Sequence, residues 1–158
     1  MDLDRIDREI LRALQLKGRL SVVDLAKQIN LTNSPCSDRV KRLEKEGYIR
    51  GYHAEISPEK LGLDVQVFIH IRLDQLSFSI FDKFAAAVAL MPEIEECYTL
   101  SGDFDTMIKV RVKDMKSYQT FMSSKLGTLP GVIQTRSEVV IGQHKKSFGI
   151  NPDWLEIV

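Results

Sequence analysis

Residues 31–49 read LTNSPCSDRVKRLEKEGYI. The stretch has a helical start, a helical period and a helical stop. Ser34 can cap an N-terminus, and Pro35 suits the first helical position, where a missing N–H costs no bond. Thr32 is an alternative cap two residues earlier. Gly47 ends the run. On a helical wheel Cys36, Val40 and Leu43 share one face, at spacings of four and three. Ser34, Ser37, Asp38, Lys41, Arg42 and Lys45 take the opposite face, with Arg39 at its flank. The thiol therefore points inward as a small hydrophobe rather than outward as a nucleophile. None of the three histidines, His53, His70 and His144, lies near it in sequence. The outward set mixes small hydrogen-bonding groups at the N-terminal end with cations further along. Small side chains, including Pro35, let a helix end approach base edges, while Lys and Arg hold phosphate. Asp38 can accept from a cytosine amine or pair with Arg42 one turn on.

A charged helix face alone is most often just solvated, so its neighbours decide the matter. Leu3, Ile6, Ile10 and Leu14 recur at helical spacing before it, with Asp4–Arg8 and Arg5–Glu9 as i,i+4 pairs on the wetter side. A second helix opens at Ser21, with Asp24 completing an approximate capping box, and ends at Asn30. After the third helix, GYIRGYHAEIS (47–57) is rich in β-formers around an Arg50-Gly51 turn and reads as a strand or small hairpin. Three short helices followed by a wing match a winged helix-turn-helix. SPEKLG (57–62), with proline and glycine, is the expected linker.

Beyond it the period changes from 3.6 to 2. VQVFIHIRL (65–73) alternates as a strand with one buried face. Ile80, Phe81, Phe84, Val88 and Met91 give a helix closed by Pro92. IEECYTLSG (94–102) and FDTMIKVRV (104–112) read as strands joined at Gly102-Asp103. Met115, Tyr118, Phe121, Met122 and Leu126 mark a second helix capped by Asp114, and VIQTRSEVVI (132–141) a fourth strand. The order β-α-β-β-α-β is the ferredoxin-like arrangement, giving an α+β chain overall. Two helices cover one sheet face. The other is left bare, with Phe68, His70, Cys97 and Met107 expected on it, which suggests pairing with a second copy.

Composition narrows the classes. The 158 residues include 44% hydrophobic and 28% charged side chains, a soluble globular balance. No apolar run reaches the roughly 18–20 residues of a membrane span. The N-terminus lacks a signal-peptide layout, so the two cysteines are expected to be reduced in a cytoplasmic setting. Net charge is zero, so attraction to nucleic acid must come from a local patch or from oligomerisation. The histidines lack zinc-site spacing. In SGDFD (101–105), Asp103 and Asp105 would project to one side of an extended chain beside a glycine that exposes backbone N–H groups. That pattern suits a zwitterion, with amides for a carboxylate and an aspartate for an ammonium group. A plain hairpin turn would use the same residues. A metal is not expected, because no third ligand is positioned.

Taken together, the motifs resemble the Lrp/AsnC (feast/famine) family of transcription regulators. The resemblance runs from LDRIDREILRALQ through LAKQINLTNSPCSDRVKRLEKEGYIRGYHAEISPEKLG to ECYTLSGDFDTMIKVRVKDM and LPGV. It implies a DNA-binding winged helix-turn-helix in 1–62 (wing and linker 48–62), and an effector-binding, oligomerisation domain in 63–142. A tail, 143–158, has no assigned role. It also implies double-stranded DNA as partner, an amino-acid effector without a further cofactor, self-association into dimers and octamers, no enzyme activity, and a nucleoid-associated place in the cytoplasm. The effector is expected at Ser101, Gly102, Asp103 and Asp105, with Tyr98, Leu100 and Met115 adjacent and Thr135, Ser137, Val139 and Val140 on the last strand. The apolar character of Leu100, Met115 and Val139 favours a leucine- or methionine-like ligand. Two rivals differ in class: an architectural protein that coats DNA without a ligand, and a small ferredoxin-like enzyme or metabolite-binding module using Asp103 and Asp105 as acid/base or metal groups.

Overall fold

The computed structural model describes residues 3–74, 78–147 and 149–153. The chain divides into two compact units, Met1–Ile56 with His144–Val158, and Ser57–Gln143.

The first unit holds α1 (Arg5–Leu16), α2 (Val22–Gln28) and α3 (Asn33–Lys45). Asp4 caps α1: its Oδ1 accepts from Asp7 N at 2.8 Å, and Asp7 Oδ2 accepts from Asp4 N at 3.2 Å. This reciprocal box replaces the expected Asp4–Arg8 pair, because a capping carboxylate must turn back over the helix end. The Arg5–Glu9 pair forms at 3.1 Å. Ser21 caps α2, accepting from Asp24 N at 3.1 Å, while its hydroxyl donates to the Asp24 carboxylate at 2.6 Å. Asn30 then takes φ 56°, the left-handed stop.

Thr32, not Ser34, occupies the cap position of α3, and its hydroxyl makes no capping bond. Pro35 therefore stands third in the helix. It still forfeits nothing, because the first helical bond to a chain amide is Cys36 N to Thr32 O. Ile10, Ala13, Leu25, Ala26, Ile29, Cys36 and Leu43 form the core of this unit.

No strand forms over residues 48–56, where the sequence reads as a strand or small hairpin. A β-forming sequence needs a second strand to bond to, and no described residue of this unit provides one. The segment is pinned instead by Tyr52, whose hydroxyl donates to Glu44 Oε1 at 2.9 Å. The described end of the chain returns to the same unit. Lys146 Nζ lies 2.6 Å from Glu55, and Asp153 pairs with Arg12 and with Arg8.

The second unit holds β1 (Val65–Leu73), α4 (Phe78–Val88), β2 (Ile94–Thr99), β3 (Thr106–Val112), α5 (Met115–Ser124) and β4 (Val132–Val139). The sheet order is β2-β3-β1-β4, every pairing antiparallel. Val67, Ile69, Ile71 and Leu73 of β1 and Ile108, Val110 and Val112 of β3 face the helices, where Phe84, Val88, Tyr118 and Phe121 close the core. The strands at SGDFD are shorter than expected, leaving residues 100–105 as a connection of bends.

Residues paired across an antiparallel ladder share a face. Phe68, His70 and Met107 thus lie on the uncovered side, with Arg72, Lys109, Arg111, Arg136 and Glu138. Cys97 does not: it stands opposite the core residue Ile108, on the helix side at the sheet edge. A register shift between Ile94 and Glu96 moves it there, an offset that alternation alone does not reveal.

Candidate functional site

On α3 the described side chains sort by environment. Ser34, Pro35, Asp38, Lys41 and Lys45 are exposed, and Ser37 is half-buried. Ser34, Asp38, Lys41 and Lys45 follow spacings of four, three and four, so they form one stripe along the helix. Lys41 and Lys45 enter no ion pair among the described residues. Cys36 is fully buried, and burial pushes its thiol pKa up, which removes it as a nucleophile.

Arg39 and Arg42 are placed differently from the expected outward set. Arg39 Nη1 donates to Asp4 Oδ2 at 2.6 Å and to Asp7 Oδ1 at 2.8 Å, and Arg42 Nη2 lies 2.6 Å from the same Asp7 oxygen. Asp7 is 2% exposed. Its partner is thus the recognition-type helix rather than solvent, and Arg42 pairs with Asp7, not Asp38. The two carboxylates raise the Arg39 pKa, Asp4 most. For Asp4, burial acts upward, but the Asp7 N–H and Arg39 outweigh it and hold the carboxyl below its ordinary value. Sequence reading missed Asp7 because it falls among charged residues of an amphipathic helix. Its position three residues after a capping aspartate was the available signal.

In the second unit the SGDFD connection is built around β1. Leu100 N donates to Asp105 O at 2.9 Å, and Asp105 N to Ile71 O at 3.0 Å. Asp105 Oδ2 accepts from Leu73 N at 2.9 Å, so that carboxylate is tied to the strand. Arg72 donates from Nε and Nη2 to Asp103 O, at 2.9 and 2.7 Å. Ser101, Gly102 and Asp103 are exposed, and their N–H groups donate no hydrogen bond among the described residues. The two aspartates therefore do not form the expected side-by-side pair: bends replace the extended chain that alternation requires. Phe104, which sequence reading passed over, lies beneath Arg136 (5.2 Å to the ring centroid), Arg72 (5.5 Å) and His70 (5.7 Å between rings). The cross-strand pairing of His70 with Arg136 creates that cluster, and register is invisible in a single sequence.

The remaining effector candidates do not converge on the turn within one chain. Thr135 pairs with Ile71, close to the connection, and lines a groove of about 190 Å³ with Met122, Leu126, Gly127, Val132, Ile133 and Gln134. Ser137 Oγ accepts from the Tyr118 hydroxyl at 2.6 Å. Val139 pairs with Val67, four residues further along β1, about 14 Å away at strand rise. Val140 follows it, and Met115 opens α5 after Val112, whose β1 partner is Val65, at that same distant end. Met115, Tyr98 and Leu100 are exposed. Tyr98, opposite Met107, is on the uncovered sheet face, with its hydroxyl on Glu96. No group of three or more His, Cys, Asp or Glu able to hold a metal occurs among the described residues. No described helix is long and apolar enough to cross a membrane.

A three-helix unit with a cationic stripe, joined to a ferredoxin-like unit with a polar turn, defines the class: a DNA-binding regulator with a separate ligand-binding domain. Comparison with known proteins agrees with both halves. Residues 3–50 match the winged helix-turn-helix DNA-binding family, and residues 66–150 match the Lrp/AsnC ligand-binding domain. The leucine-responsive regulatory protein of Salmonella typhimurium is 46% identical over 146 residues, spanning 92% of this chain and 89% of that protein. Its counterpart in Escherichia coli K12 is 45% identical over the same coverage. A transcriptional regulator from Neisseria meningitidis, solved as its L-Met complex, superposes with a TM-score of 0.93 at 33% identity, covering 98% of this chain and 99% of that one. AsnC of Escherichia coli gives 0.87 at 28% identity, covering 96% and 100%. The chain belongs to the Lrp/AsnC family of DNA-binding transcriptional regulators and is not an enzyme.

Proposed function

We propose that this chain regulates transcription as an oligomer that places α3 in the major groove and answers to a free amino acid with an aliphatic or thioether side chain. The observation that carries the DNA half is the exposed stripe Ser34–Asp38–Lys41–Lys45, with Ser37 beside it. Two short groups can approach base edges, and two lysines that enter no ion pair among the described residues can hold phosphate. Lys41→Ala and Lys45→Ala should each weaken binding uniformly across DNA sequences and flatten its salt dependence. Ser34→Ala and Ser37→Ala should change which sequences are preferred.

The effector half rests on the N–H groups of Ser101, Gly102 and Asp103, which donate no hydrogen bond among the described residues and suit a carboxylate, and on the exposed apolar groups Leu100, Met115 and Val139. Leu100 stands beside that turn, but Met115 and Val139 lie at the opposite end of the sheet, so one molecule of ligand can meet the turn and those two only where a second copy brings its far end to the first copy's turn. The leucine-responsive relatives and the methionine-bound neighbour favour these two amino acids. The uncovered sheet face, half-buried at Phe68, His70 and Met107, is the surface offered for dimerisation, and further assembly to an octamer would supply the ligand junction. Such a protein works where the DNA is, in the cytoplasm at the nucleoid. Calorimetric titration with leucine, methionine and the other standard amino acids tests the effector. Heat and a ligand-dependent change in sedimentation coefficient are expected for at least one of the two. A flat titration with all twenty would leave the architectural, ligand-free reading.

A further inference from the structure

Helix α3 carries four cations besides its exposed polar groups, and the structure uses them in two ways. Lys41 and Lys45 stand exposed on the stripe. Arg39 and Arg42 are gathered on one carboxylate oxygen of Asp7, at 2.8 and 2.6 Å, with Asp4 as a second acceptor for Arg39 at 2.6 Å. The Arg side chains are 27% and 34% exposed, while Asp7 is 2% exposed. A guanidinium held in this way has its anion already. To reach a phosphate it must leave a carboxylate that cannot follow it into water, and stranding that buried charge is costly.

We propose that Asp7 is the positioning residue of DNA recognition: its buried carboxylate fixes α3 against the N-terminal turn of α1 and withholds Arg39 and Arg42 from the phosphate backbone. The inference rests on the reading of α3 as the DNA-contacting helix. Its consequence is a limit on non-specific attraction. Of four cations on one helix, two add to sequence-independent binding and two set the angle at which Ser34, Ser37 and Asp38 are presented. A chain of zero net charge whose reading helix has two cations outside any ion pair among the described residues must take more of its discrimination from base contacts.

The salt dependence of binding separates these roles, because each cation on a phosphate adds about 0.9 to the slope of log K against log salt. The full-length protein is titrated onto a fluorescein-labelled random-sequence duplex by anisotropy, between 50 and 200 mM salt. Far-UV circular dichroism checks each variant at the assay temperature. Lys41→Ala and Lys45→Ala should each lower the slope by about 0.9. Arg39→Ala should leave it unchanged while lowering the melting temperature. Asp7→Asn keeps the shape of the site but removes its charge, so it should steepen the slope by about 0.9 for each guanidinium released. Glu46→Gln carries the same change in net charge at the exposed end of α3 and should not steepen it.

A drop of about 0.9 in Arg39→Ala, an unchanged slope in folded Asp7→Asn, or equal steepening in Glu46→Gln overturns the inference while leaving α3 on the DNA. Unchanged slopes in both lysine variants overturn the reading of α3 itself, and the inference with it. If Asp7→Asn does not fold, the slope of Arg39→Ala decides alone.

Discussion

Two residues show how far side-chain chemistry can be read before the fold is seen. Cys36 was legible: spacings of four and three to Val40 and Leu43 turn it inward, and it is fully buried beside them. A thiol reagent should therefore label one cysteine of the native protein, the exposed Cys97, and two after denaturation. Rapid labelling of both in the native state would contradict its burial. Asp7 was not legible. An aspartate between an isoleucine and an arginine on an amphipathic helix reads as solvated, and only the approach of α3 makes it a buried anion. Asp7→Ala should cost about 2–3 kcal/mol, within the range for losing a charged hydrogen-bond partner, because the two cations left behind are partly exposed and can rehydrate. Chemical denaturation checks it, and a loss below about 0.5 kcal/mol would mark an ordinary surface pair. In the second unit, burial acts to raise the Glu93 carboxyl, but the hydrogen bond from Lys125 at 2.5 Å outweighs it and holds the pKa below its ordinary 4.5. A depressed folded pKa contributes stability above that ordinary value and loses it as pH falls through the folded one. Glu93→Gln should therefore be less stable than wild type at pH 7, and the gap should close as pH drops below 4.5. A gap that does not change with pH would remove the ion pair as its cause.

At the scale of elements, periodicity located the two α-helices and four strands described in the second unit, because a change from 3.6 to 2 is set by which face is buried. What it missed depends on partners. The β-rich segment after α3 forms no strand, since propensity supplies half a ladder and no other half occurs among the described residues of this unit. The SGDFD turn is longer than its glycine suggests, because Asp105 is drawn onto Ile71 and Leu73 of β1. Turns also carry constraints that can be tested. Gly131, which leads into β4, has φ 76°, and a Cβ there would lie 2.2 Å from Ile80 Cγ2. Its carbonyl also accepts from Asp74 N at 2.8 Å, tying the turn to the end of β1. Gly131→Ala should destabilise the second unit by about 1–3 kcal/mol through left-handed strain, with the clash adding to it. A melting temperature equal to wild type would show that the turn relaxes freely. Gly62, with φ 70° and open space around its Cβ position, isolates the strain from the clash and should be the milder site for alanine.

For the whole molecule, the order of motifs identified the family, because the three-helix and βαββαβ patterns each run without interruption along the sequence. The candidate ligand site was only half legible. Its residues are of types proposed to bind a zwitterion, but antiparallel strands carry the turn to one end of the sheet and Met115, Val139 and Val140 to the other. No reading of one chain could say that, since it follows from sheet order rather than residue spacing. The separation makes self-association part of the proposed response: ligand affinity for one assembly over another is what would shift DNA binding. We propose that α3 reads DNA sequence and that an amino acid modulates the reading. A competition gel shift tests both together, using duplexes the protein itself selects from a random pool, challenged with excess unselected DNA, with and without leucine or methionine. The expected result is a complex that survives the competitor and a midpoint that moves severalfold with at least one of the two amino acids. Equal loss of selected and unselected complexes, indifferent to either amino acid, would contradict it.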